Sequence, residues 1–505
     1  MDGILFGFSV AFSAQNLLFV FIGVLTGTVV GLLPGLGPTA AIALLLPLTY
    51  ALDTTTAIIM LAGIYYGSMF GGRIPAILLN LPGDGASVVT AFDGYPLRQQ
   101  GRAGAALGIT AVGSFVGGTS AVIGLTLFAP LLARWAVGIG PAEMFSLTMF
   151  GLIMIALIAA EGIVRGLIGA AIGILVASVG LDPITGAQRF TFGSIEMMDG
   201  IGIVPLAVGL FGLGELLIEI ERRLVRNDVG RVGKLFPTVK EVLETRWAIA
   251  RAAIVGFLLG IVPGGGGAMS SVVSYGVEKR FSKHPEKFGH GAMDGLAATE
   301  TADNASSNAA FIPLMTLGIP PNPVLALIAG ALIVKGIVPG PRMIVETPDL
   351  FWGVIASMYI GSIMLILLNL PLIGVFVQIL KIPSPILVSG VIAVAVAGVF
   401  SVRNNVFDVY LMFGFAALGF ALKKAKIPPG PLILGYILAP IMEAQFRRSM
   451  LISSGSLRIF VDRPISLLFL TLAGLLVLSI FVPSVLRRVR GTAATPPLTT
   501  QEGQQ

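Results

Sequence analysis

Apolar runs separated by short glycine-, proline- or charge-bearing breaks make up most of this chain. Runs at 17–33, 144–160, 201–217, 354–370, 386–400 and 465–482 are almost wholly apolar. Each is long enough, or nearly so, to cross a hydrocarbon core of about 30 Å. Counting interrupted segments as well, the pattern predicts an all-α polytopic membrane protein with roughly 11 to 13 membrane-embedded helices.

Two breaks repeat. GTVVGLLPGLGP at 27–38 and GFLLGIVPGGGG at 256–267 share GxxxGxxPGxG at one offset (263 − 34 = 229). Proline removes a backbone donor and glycine has no packing side chain, so each motif ends a helix. A second pair follows in the same order, IPAILLNLP at 74–82 and IPLMTLGIP at 312–320, offset by 238. The nine-residue difference matches an extra charged loop at 278–290. Within a bilayer, a broken helix is tolerated where its freed backbone is buried or lines a cavity. Matched breaks in two halves point to a transporter's binding site.

Composition agrees with this reading. Of 505 residues, 55% are hydrophobic and 11% charged, and the mean hydropathy is +0.93. A soluble domain carries about 25% charged residues. The net charge of +6 reflects basic loops on one side of a membrane rather than nucleic-acid affinity. Cysteine is absent, and the two histidines share one charged loop, so thiol chemistry and a histidine metal site are excluded. No cleavable signal peptide is evident.

Basic residues divide the chain. Residues 1–220 read as a first membrane half, 221–246 as a cytoplasmic basic linker, 247–486 as a second half with the C-terminal helices, and 487–505 as a basic end and disordered tail. No Lys or Arg precedes Arg73, whereas the second proline-glycine loop follows the basic linker; this asymmetry favours an external N-terminus and inverted repeats. Lys423, Lys424 and Lys426, and Arg487, Arg488 and Arg490, mark cytoplasmic segments two spans apart, so the loop between them, with Arg447, Arg448, Arg458 and Arg463, faces outside against the positive-inside rule.

The polar run TETADNASSN at 299–308 leads into the second Ile-Pro break. Its oxygens suit a small cation, with Glu300, Asp303 and Asn304 as cation ligands and Ser306, Ser307 and Asn308 beside a substrate. At helical spacing Glu300, Asn304 and Asn308 share a face. The alternative is a solvated loop, or hydroxyls that tighten helix packing. In the first half, Arg73 is either a bidentate clamp for a carboxylate, an interfacial arginine, or a partner of Asp84. Asp84 either coordinates a cation or caps a helix, and Asn80 joins the substrate site. At the proline-glycine loops (Pro34, Gly35, Gly37; Pro263, Gly264, Gly266), helices starting at Thr39 and Ala268 offer free amides to an anion, or the loop carbonyls hold sodium. A tight hairpin without ligand is the plain alternative. Glu161 and Arg165 read as an ion pair at a turn. Asp93 to Pro96 reads as a turn that caps the next helix.

At these residues the chain resembles the large membrane subunit of the tripartite tricarboxylate transporters, the TctA family. The resemblance lies in GTVVGLLPGLGPTAAIALLLPLTY (27–50), YYGSMFGGRIPAILLNLPGDGASVVTAFDGYPL (65–97), GFLLGIVPGGGGAMSSVVSYGVEKR (256–280) and ETADNASSNAAFIPLMTLGIPPNP (300–323), with FRRSMLIS (446–453) and RPIS (463–466) later. It implies a non-enzymatic, multi-pass permease of the bacterial inner membrane that imports tricarboxylate-like substrates. It also implies a small membrane subunit (TctB-like), a periplasmic solute-binding protein (TctC-like), and sodium or protons as coupling ion, with no other cofactor. Competing readings are a stand-alone organic-anion transporter and an ion channel; an intramembrane enzyme lacks a recognisable nucleophile and base.

Overall fold

A computed structural model describes residues 2–33, 35–136, 138–158, 162–182, 184–222, 237–379 and 384–489. Among them the only strands are Gly180–Leu181 and Gln188–Arg189, paired antiparallel; nearly all else is helix. Among the described residues, eight helices are long and apolar enough to cross a membrane, and four shorter apolar helices accompany them: Pro38–Thr49, Ile163–Ala177, Pro323–Val334 and Pro464–Leu478. The chain is an all-α polytopic membrane protein. Burial sorts the spans into layers. The most apolar window of Thr54–Leu79 is 100% buried inside the protein, whereas that of Pro385–Arg403 is 17% buried and turns most of its surface outward.

The helices that frame the centre are, in chain order, α1 (Ala14–Gly31), α2 (Pro38–Leu45), α3 (Thr54–Leu79), α4 (Ser87–Gln99), α5 (Ala103–Ala136), α6 (Val239–Ile261), α7 (Gly267–Phe281), α8 (Met293–Ala309), α9 (Phe311–Leu317), α10 (Pro323–Val334) and α11 (Pro348–Ile379). Their starts follow local chemistry. Ser13 caps α1 and Asp53 caps α3 through the Thr56 amide at 3.0 Å. Thr238 and Glu241 form a capping box on α6. Proline occupies the first turn of α2 and of α10, where no amide is needed.

The sequence repeat is also a repeat of contacts. A Cβ at Gly27 would stand 2.4 Å from the Ile64 carbonyl oxygen, and one at Gly256 would stand 2.4 Å from that of Ala302. At Gly31 the neighbour is the Ser68 oxygen (2.3 Å), and at Gly260 it is the Ser306 oxygen (2.4 Å). The neighbours keep the second offset (64 + 238 = 302; 68 + 238 = 306). Helix α1 therefore lies on α3 as α6 lies on α8, with backbones too close for any side chain at these glycines. Both loops turn through a left-handed glycine, Gly35 (φ 85°) and Gly264 (φ 81°).

Two expectations change here. The first Ile-Pro pair does not break its helix: α3 runs through Pro75 to Leu79 and ends at Asn80, in the left-handed conformation (φ 57°). Pro75 gives up one intrahelical hydrogen bond, to the Gly71 carbonyl, yet α3 continues through it in a segment buried from Thr55 to Leu79. In the second half the chain does interrupt, at Ala310 between α8 and α9, and α9 ends at left-handed Gly318 (φ 73°). The stretch from Asp93 to Pro96 is not a turn but lies inside α4. Asp93 is fully buried, and its Oδ1 accepts the amides of Gly289, Gly291 and Ala292 at 2.8 Å each. It thus caps a helix of the other half, α8, whose N-cap is Ala292.

Candidate functional site

The two loop tips carry helix starts into the protein. Helices α2 and α7 begin at Pro38 and Gly267, one residue ahead of the expected starts. The first amides of each have no intrahelical partner. A Cβ at Gly37 would lie 3.3 Å from Asp84 Cβ, and one at Gly266 would lie 3.9 Å from Asn322 Cβ, again related by the repeat (84 + 238 = 322). Asp84 Oδ1 accepts the Ser87 amide at 2.8 Å, and Asn322 Oδ1 accepts the Leu325 amide at 2.9 Å. The halves meet where a Cβ at Gly85 would come within 3.2 Å of Ala268.

Beneath the tips, α8 is buried from Gly295 to Ala309, so the polar run is neither loop nor solvated face. Glu300 and Arg73 form an ion pair across the halves at 3.8 Å, with side chains 3% and 1% exposed. Thr90 of α4 donates to Glu300 Oε1 at 2.5 Å. Arg73 Nη1 donates to Ser114 Oγ of α5 at 2.8 Å, and its guanidinium lies 3.2 Å from the Phe70 ring centroid. Asn304 Nδ2 donates to the same Ser114 oxygen at 2.9 Å and to the Glu300 carbonyl at 3.0 Å. Five side chains from four helices thus form one polar network. The partner of Arg73 is Glu300 rather than Asp84, because full burial rules out an interfacial position and α8 brings the carboxylate alongside.

Asp303 stands on the next part of the helix face, 3% exposed, beside the start of α7. Its Oδ1 lies 2.0 Å from where a Cβ of Gly267 would be. Ser306 and Ser307 both donate to its carbonyl at 2.9 Å. From the first half, Tyr65 accepts Asn322 Nδ2 at 3.2 Å and faces Ser307. Among the described residues, Arg73 Nε, Glu300 Oε2, Asp303 Oδ1, Asn308 Oδ1 and Tyr66 Oη are buried without a hydrogen-bond partner. Tyr66 and Asn308 help line a cavity of about 10 Å³, with Ser114, Asn304 and Ser362. That is room for one water-sized group.

The remaining expected residues divide. Pro263, Gly264 and Gly266 form the second tip, where the Gly264 amide donates to the Pro321 carbonyl at 2.8 Å. Gly35 and Gly37 form the first, while Pro34 lies outside the described residues. Asn80 is exposed at the end of α3, where its left-handed backbone (φ 57°) closes the helix. Asp84 is half-buried, and its hydrogen bonds to Ser87 make it a turn cap, the alternative to cation coordination. Glu161 lies outside the described residues. Of the arginines at 447–463, Arg447 bonds Asp182 (2.7 Å) and Glu443 (2.6 Å), and Arg463 bonds Glu143 (3.4 Å), so carboxylates balance part of that basic cluster. Sequence reasoning missed Thr90 and Ser114, lone hydroxyls without a motif, and Asn322, whose only signal is an N-cap before Pro323.

The profile of the tripartite tricarboxylate transporter TctA family matches residues 17–434. Two similar proteins come from Agrobacterium vitis. One, described as an uncharacterized 52.8 kDa protein in the TAR-I ttuC' 3' region, is 45% identical over 480 residues, covering 95% of this chain and 96% of its own length. The other, described as an uncharacterized protein in the TAR-II ttuC' 3' region, is 48% identical over 230 residues, covering 46% of this chain and 95% of its own. No solved structure matches. With the family profile spanning most of the chain, this multi-pass membrane protein belongs to the tripartite tricarboxylate transporter TctA family.

Proposed function

We propose that this chain is the large permease subunit of a binding-protein-dependent secondary transporter that imports tricarboxylate-like anions across a bacterial inner membrane by cation symport. Its partners are a small membrane subunit and a periplasmic solute-binding protein that delivers the substrate.

One observation carries this reading. Near the starts of two helices from opposite halves, α2 beside Asp84 and α7 beside Asp303, the described residues place three carboxyl groups, Asp84, Glu300 and Asp303, with one basic side chain, Arg73, a formal balance of −2 (−3 + 1 = −2). The helix starts present amides and positive dipole ends, the arrangement that attracts carboxylates. The centre, in contrast, holds more carboxyl groups than basic ones, and desolvation there makes each ionised carboxylate costly unless positive charge accompanies it. An anion entering such a place requires compensating positive charge, and bound cations supply it. Cation and substrate then stabilise the same arrangement of the halves, so each raises the other's affinity.

Proteoliposomes containing the membrane complex test the proposal. Labelled tricarboxylate uptake is expected only with the binding protein present, and Asn304→Ala is expected to abolish it while membrane insertion stays intact. Undiminished uptake without binding protein contradicts the tripartite reading. Wild-type uptake by Asn304→Ala contradicts the site.

A further inference from the structure

Two apolar cavities flank the helix Pro429–Ile452, and neither shares a lining residue with the polar centre. One, of about 530 Å³, opens between that helix, α10 and the end of the helix Ser384–Arg403. The other, of about 700 Å³, opens between it, the helix Ile163–Ala177 and the hairpin of the two short strands. Ala177, Val179, Pro440, Ala444 and Arg448 line both, so the two adjoin at one arginine. Val334 and Val338 on the first wall, and Leu181, Ile184 and Leu451 on the second, are exposed. In a membrane-spanning chain, exposed apolar walls of this kind are covered by hydrocarbon at no cost, whereas water covers them badly.

The charges beside these walls fall into two groups. Arg189 and Arg447 are committed: Arg189 donates to Glu443 at 2.8 Å, and Arg447 to Asp182 at 2.7 Å and to Glu443 at 2.6 Å. Arg403 and Arg448 are not. Both are exposed, both line the first cavity, and neither forms a hydrogen bond or ion pair among the described residues. Asp199 is the one carboxylate lining that cavity, which leaves a balance of +1 (+2 − 1 = +1). Asp408, whose field reaches Arg403, is buried in the following helix and makes no ion pair with it. The Tyr436 hydroxyl is spent on the Ile201 carbonyl at 2.5 Å, so the deeper wall, with Ile203, Gly330 and Ile437, offers no polar group of its own.

We infer that the adjoining cavities hold one anionic diacyl phospholipid, with its phosphodiester on Arg403 and Arg448 and an acyl chain in each cavity. One phosphodiester neutralises the balance of +1, and guanidinium groups with free donors are the side chains best suited to its oxygens. A zwitterionic headgroup brings a further cation and leaves that balance unanswered. A free phosphate would leave the apolar walls uncovered. A transmembrane helix, about 10 Å across and about 30 Å long, is larger than either cavity. The lipid would pack the helix Pro429–Ile452 against the hairpin and α10, and this inference does not rest on the transport reading.

The test titrates the purified protein in neutral detergent with phosphatidylglycerol and, in parallel, with phosphatidylcholine of the same chains, and reads the unfolding temperature. Wild type is expected to gain stability saturably with phosphatidylglycerol and to gain less with phosphatidylcholine. Arg403→Gln and Arg448→Gln each raise the half-saturating concentration of phosphatidylglycerol about fivefold, and together roughly thirtyfold. Both side chains are exposed and unbonded, so their loss leaves the fold intact. Ala444→Phe, on the shared wall, weakens the response to both lipids. An undiminished phosphatidylglycerol response in the double arginine variant overturns the site, and so does an equal gain from the two lipids in wild type. A gain reproduced by inorganic phosphate gives the arginines to a free anion and overturns the lipid. Native mass spectra in which a co-purified membrane subunit takes the place of the lipid overturn it as well.

Discussion

The two halves share a frame and differ in chemistry. Gly27 and Gly31 lie on Ile64 and Ser68 as Gly256 and Gly260 lie on Ala302 and Ser306, at matching distances. Onto that frame the repeat places unlike residues: Tyr65 against Asp303 (65 + 238 = 303), Arg73 against Phe311, and Asp84 against Asn322. Asp84 is satisfied by Ser87 in its own half, whereas Asp303 Oδ1 is buried beside Gly267 without a hydrogen-bond partner among the described residues. Duplication thus explains the backbone cradles, which need only glycine, proline and a capping side chain. Charge is distributed unevenly over them, and this unevenness makes the centre one composite site rather than two copies.

The largest effect expected from breaking this arrangement is at the pair joining the halves. Arg73→Met or Glu300→Gln alone leaves a buried group uncompensated and costs about 3–5 kcal/mol. The double variant recovers most of that stability, because an absent pair is cheaper than a broken one, yet transports nothing. Unfolding in detergent and uptake in vesicles measure the two parts. Smaller and matched effects are expected where the frame repeats. Gly31→Val and Gly260→Val each push a side chain into a facing carbonyl, at about 1–3 kcal/mol or more. Similar losses in both sharpen the repeat; a loss confined to one half breaks it.

How much of this was legible in the sequence follows from what each feature requires. The tips were readable because a left-handed turn and a helix start at fixed spacing demand glycine and proline locally. The polar face of α8 was readable because hydroxyls, amides and carboxylates are rare in apolar sequence. The partner of Arg73 was not, since Asp84 is near in the chain and Glu300 is near only after α3 and α8 pack. Ser114 gives no sign in a glycine-rich helix, because its role arises from meeting Arg73 and Asn304 at once. Pro75 misled as a helix breaker because α3, buried along its length, continues past the one hydrogen bond that the proline removes.

The central claim is that a buried excess of carboxylate is balanced by a cation that travels with the substrate. Its most direct test is tricarboxylate uptake into proteoliposomes of the complete complex, with binding protein present and the sodium gradient imposed or collapsed. Accumulation above equilibrium only under an inward sodium gradient is the predicted result. Accumulation unchanged when both sodium and proton gradients are collapsed contradicts the account.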